Sequence, residues 1–95
     1  MRTIASKLLN FYPPGKLYTP RDGTAYLRSV NVYGYFTGLS GALNDGELAL
    51  VVEASDVNVD KNLPVLLRLV SPSGETGWVY ANILKEVCLW HTYLY

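Results

Sequence analysis

Two short segments of this chain carry side chains whose types and spacing could do chemistry. Cys88 and His91 are its one cysteine and one histidine, placed in Cys88-Leu89-Trp90-His91-Thr92-Tyr93. A thiolate–imidazole nucleophile requires the two groups in contact and a third group to orient the base. A transition-metal site requires three or four ligands, and no other cysteine or histidine exists in the chain. Both residues read as structural members of an aromatic tail. The second segment, Asp56-Val57-Asn58-Val59-Asp60, has the oxygen spacing that opens a calcium loop. Lys61 then stands where the sharp turn needs glycine, and Leu67 where the closing bidentate carboxylate belongs. A polar hairpin loop is the better reading. No catalytic residue, metal site or cofactor is expected.

The aromatic residues are the informative excess. Tyr33, Tyr35 and Phe36 fall in one glycine-rich stretch, and Trp78 and Tyr80 alternate in a later apolar run. Tyr and Trp combine a large apolar area with a polar edge, which suits them to interfaces. These five are the candidate binding residues. An equal alternative is that Tyr33 and Phe36 cover one end of the domain, with Trp78 half-buried beneath them.

The elements that would position them follow from texture. With 95 residues the chain holds one modest core. Ile4, Leu8 and Tyr12 share a face at helical spacing before Pro13-Pro14-Gly15 stops any helix, so residues 1–15 form an arm or short helix. From Lys16 onward, short apolar runs alternate with Gly, Pro, Asn and Asp, the pattern of an all-β domain. The expected strands are Lys16–Thr19, Ala25–Val32, Leu48–Glu53, Val65–Val70 and Gly77–Ala81. Residues 33–47, with four glycines, read as a long shaped loop. In Ser71-Pro72-Ser73-Gly74-Glu75-Thr76, Pro72 presets φ and Gly74 accepts a positive φ, which makes a hairpin turn. Five short strands and one long loop point to a small, strongly bent barrel. In its last strand Val79 and Ala81 face inward and Trp78 and Tyr80 outward. Asn82 then breaks the strand, and Leu84 returns to the core.

The run Gly74-Glu75-Thr76-Gly77-Trp78-Val79-Tyr80-Ala81-Asn82-Ile83-Leu84 resembles the end of a Src-homology-3 domain. Asp45-Gly46-Glu47-Leu48-Ala49-Leu50 is similar to the Gly-Glu step and following strand of that family. Ala25-Tyr26-Leu27-Arg28-Ser29 is similar to the opening of its bacterial members. The resemblance covers residues 16–87 and implies an all-β, five-stranded SH3-like barrel. Residues 88–95 are left as an aromatic C-terminal extension. Family members bind polyproline II peptides in an aromatic groove, and three of those contacts are absent here. The expected groove tryptophan falls near Val65 or Leu66, the groove proline is replaced by Tyr80, and the groove tyrosine by Ile83. Conventional Pro-rich recognition is therefore not expected.

The resemblance and the residues together imply a non-enzymatic protein-interaction module, an adaptor or inhibitor, working through the long loop and the Trp78/Tyr80 face. A phage or viral accessory protein is compatible with this reading. A cell-wall or glycan-binding module is the alternative, with sugars stacking on the same aromatics. A nucleic-acid-binding barrel is third. Eight basic and eight acidic residues give zero net charge, and the basic ones are scattered singly, which argues against phosphate-backbone binding. No apolar run approaches the roughly 18 residues a membrane span needs. A soluble cytoplasmic protein is expected, in the host cytoplasm if viral. The tail from Val87 to Tyr95 has no charged side chain and is too apolar to stay uncovered. It is expected to dock beside Ile4–Tyr12 or, alternatively, to pair with a second copy or the partner.

Overall fold

The computed structural model describes residues 11–58 and 61–87. They form an all-β domain of seven strands: β1 (Leu17–Pro20), β2 (Ala25–Val30), β3 (Phe36–Leu43), β4 (Ala49–Ser55), β5 (Leu66–Val70), β6 (Thr76–Tyr80) and β7 (Leu84–Glu86). All belong to one antiparallel sheet in the order β3-β2-β6-β5-β4-β1-β7, curled into a half-barrel. The expected count of five is thus corrected to seven. Two additional strands account for the difference. The glycine-rich stretch 33–47, expected as a loop, contains β3, which pairs with β2 from Ala25↔Leu43 to Val30↔Phe36. The short β7 pairs with β1.

Period-2 patterning explains the inner face. Ala25 and Leu27 of β2, Leu67 and Leu69 of β5, and Val79 of β6 all point into the core and are buried. In β4 the register slips between Val51 and Glu53. Ala49 and Val51 face inward before the slip and Ala54 after it, because an extra residue in one strand resets the alternation. Ala81, expected in the last strand, instead opens a 3-10 turn, Ala81–Ile83, and packs half-buried against the core. Leu84 follows the turn and is buried again.

Two hairpins are closed by the same turn. At 71–75, Gly74 N–H donates to Ser71 O at 2.9 Å and Ser71 N–H to Glu75 O at 2.8 Å. At 31–35, Gly34 N–H donates to Asn31 O and Asn31 N–H to Tyr35 O, both at 3.0 Å. Each glycine has φ +88°, where a side chain would be strained. The positive φ expected of Gly74 is therefore present. Asn31 reinforces its turn by accepting Tyr33 N–H at 2.9 Å and Tyr35 N–H at 3.1 Å on Oδ1.

The other end of the sheet is closed by β1 between β4 and β7. Tyr18 is buried there, with the Tyr12 ring 6.4 Å away. Burial pushes the Tyr18 hydroxyl above its ordinary value of 10.0, and the nearby Glu86 carboxylate pushes the same way. Lys16 and Glu86 pair across the strands at 2.8 Å. The expected docking of the tail on the N-terminal arm lies outside the described residues, as do Cys88 and His91.

Candidate functional site

The outward face of β5 and β6 is where the sequence-predicted residues begin to meet. Trp78 and Tyr80 alternate with buried Gly77 and Val79, so both project from the face opposite the core, and both are half-buried. Phe36, at the start of β3, lies across Tyr80 with ring centroids 5.1 Å apart and planes tilted by 56°. That is a tilted geometry favoured by ring quadrupoles. The Arg28 guanidinium sits over the other part of this cluster, 5.4 Å from the Phe36 centroid. Three of the five predicted residues thus share one region of the molecule.

Tyr33 and Tyr35 do not join them. They occupy the tip of the β2–β3 hairpin and are 66% and 61% exposed. Lys61, from the β4–β5 loop, holds the tip by donating to Tyr33 O and by placing its ammonium 4.9 Å from the Tyr35 ring centroid. Beneath the tip, Gly34 is pressed against the same loop, where Asn58 is buried and donates its amide to Pro64 O at 3.1 Å. The Asn58 amide nitrogen thus ties the loop to its own backbone, while its Oδ1 is buried with no hydrogen-bond partner among the described residues. Asp60, the other end of the calcium-like spacing, lies outside the described residues. Among the described residues no three His, Cys, Asp or Glu side chains cluster.

Sequence reasoning missed the residues that frame Trp78. Leu66 is on the outward face of β5 yet fully buried, and with Val30, Val32, Val57 and the polar Asn31 and Ser55 it lines a pocket against the indole. Its signal was the unbroken run Val65-Leu66-Leu67, in which two adjacent residues cannot face the same side. Arg28 and Arg68 are the cross-strand partners of Trp78 on its two neighbouring strands. Arg68 Nε lies 3.2 Å from a Glu53 carboxylate oxygen. Ser40 completes the packing between strands by reaching across to Thr76 O at 2.8 Å.

Among the described residues no helix is long and apolar enough to cross a membrane. No known family, curated protein or solved structure matches this chain.

Proposed function

We propose that this chain is an SH3-like protein-interaction module without catalytic activity, binding its partner on the Trp78/Tyr80 face beside the β2–β3 hairpin. The SH3-like reading is supported by the meander β4–β5–β6, by the 3-10 turn Ala81–Ile83 that separates β6 from β7, and by β1 bridging β4 and β7. The interaction reading rests on one observation. Trp78 is held half-buried beside an open pocket lined mainly by Val30, Val32, Val57 and Leu66, with Asn31 and Ser55 as its polar members. Apolar pockets flanked by a fixed aromatic are where binding energy concentrates. Val32 at the pocket's rim is 85% exposed, which a self-covering face does not explain.

Capture of partners on immobilised protein tests this, run beside sedimentation with peptidoglycan and a low-salt nucleic-acid shift. A protein partner retained by the wild type and released by Val32→Asp supports the reading. Val32 is exposed, so its replacement leaves the fold intact. Retention on peptidoglycan or nucleic acid that Trp78→Ala abolishes, without a protein partner, overturns it.

A further inference from the structure

Trp78 and Val30 form a ridge between two depressions, of which only the second contains charged side chains. On one side lies an uncharged pocket whose aliphatic walls are Val32, Val57 and Leu66, with Asn31 and Ser55 as its polar members. On the other lies a shallower depression lined by Arg28, Ser29, Arg68 and Thr76, with no carboxylate among its lining residues. We propose that the two halves form one site for an extended acidic peptide. A large aliphatic side chain would fill the first half and an Asp or Glu carboxylate the second, with the peptide lying over the indole. This proposal rests on the interaction reading and names its partner's chemistry.

Charge complementarity carries the argument. Among the described residues Arg28 makes no ion pair, and its guanidinium is held in place by the Phe36 ring. Arg68 is matched by Glu53, both partners being about half exposed. The depression therefore holds close to one uncompensated positive charge. That suits a singly charged carboxylate, which a guanidinium receives with two parallel hydrogen bonds, better than a dianionic phosphate. Serine and threonine hydroxyls at Ser29 and Thr76 add neutral donors. A peptide in extended form sets residues i and i+2 on the same side, about 6.6 Å apart. That spacing lets two side chains straddle a single indole. The expected recognition pattern is a large aliphatic residue separated by one position from an acidic one. Its sign is opposite to that of a groove built to receive a peptide's arginine.

Selection of unstructured octapeptides from a displayed library on the full chain is the test. The winning peptide is then synthesised and its affinity measured for wild type, Arg28→Gln, Arg28→Glu and Val32→Asp. Thermal melting checks that each variant is folded. The expected consensus carries the aliphatic–x–acidic pattern. Arg28→Gln weakens binding about tenfold, since a charge-assisted hydrogen bond is lost. Arg28→Glu, used in a second selection, shifts the consensus from acidic to basic. Raising the salt weakens the wild-type complex. A neutral or basic consensus that still depends on Val32 overturns the acidic assignment and leaves the interaction module standing. Peptides indifferent to both Arg28 and Val32, or none selected at all, overturn both. A phosphoserine version that binds more than tenfold tighter than the Glu version overturns the carboxylate assignment.

Discussion

The Ser40 hydroxyl lies 2.8 Å from Thr76 O, joining the edge strand β3 to β6 across the intervening β2. It is also 3.1 Å from Leu27 O of β2, so one small side chain meets the backbone of both neighbouring strands. Such an approach is possible because Gly77 stands directly opposite with no side chain. The register of β6 against β2, and hence the position of Trp78 between Arg28 and Arg68, depends on this packing.

Gly77→Ala should accordingly be costly. A Cβ at this position would meet Ser40 Oγ, come within 2.7 Å of Leu27 Cβ and approach the Arg28 backbone nitrogen to 2.9 Å. Two of those three neighbours belong to β2 and cannot swing away. Overpacking of this kind costs about 2 to 3 kcal/mol, to be read from chemical denaturation. A loss below about 0.5 kcal/mol would mean that the strands separate easily here.

Much of the curled sheet was legible because its inner residues obey a period of two. Val79 could be placed inward by alternation alone, and the turn at Pro72–Gly74 by its residue types. The strand β3 was not legible, since Phe36–Leu43 contains two glycines, which weaken any strand signal. At Gly41 the structure gives a reason: a Cβ there would sit 2.8 Å from the Glu75 carboxyl carbon. The matching turn at 31–35 was hidden in the same stretch. At the site, Trp78, Tyr80 and Phe36 stood out by type and Leu66 left a trace in the run Val65-Leu66-Leu67, whereas Arg28 acquires its place only from strand pairing, which a single sequence does not state.

Val79→Asp should unfold the domain. Val79 is 1% exposed, and an unpaired charge in a core of this size costs several kcal/mol of the roughly 5–15 kcal/mol that such domains possess. Val79→Ala, which only deletes methyl groups, should stay folded with a loss of about 2 kcal/mol. Circular dichroism of the pair separates loss of fold from loss of stability.

Stability should also fall at alkaline pH through Tyr18. Its folded-state value is raised above 10.0, first by burial and then by Glu86. Between the unfolded value and the higher folded one, the unfolded chain releases this proton while the folded chain keeps it. Stability is therefore full below about pH 10 and declines as the pH rises through that window. Melting of the wild type and Tyr18→Phe from pH 8 to 11 checks this. The phenylalanine variant should lose less stability over the interval, and parallel curves would remove Tyr18 from the account.

The hairpin tip supplies a comparison in which two positions share their backbone and differ in their surroundings. Gly34 and Gly74 occupy the same place in the same turn, each at φ +88°. A Cβ on Gly74 meets nothing within 4 Å, whereas one on Gly34 lies 2.9 Å from both Asn58 Oδ1 and Val57 Cγ1. Gly74→Ala should thus cost only the backbone strain, about 1 kcal/mol. Gly34→Ala should cost that strain plus about 1 to 2 kcal/mol for displacing the β4–β5 loop. The tip and that loop supply Val32 and Val57 to the lining of the pocket beside Trp78, so pushing them apart should widen it and weaken partner binding. In an Asn58→Ala background part of the obstruction is gone, and the excess cost of Gly34→Ala should shrink. Equal destabilisation by the two glycine substitutions would show that the tip moves freely off the loop, and the pocket's shape would then have another origin.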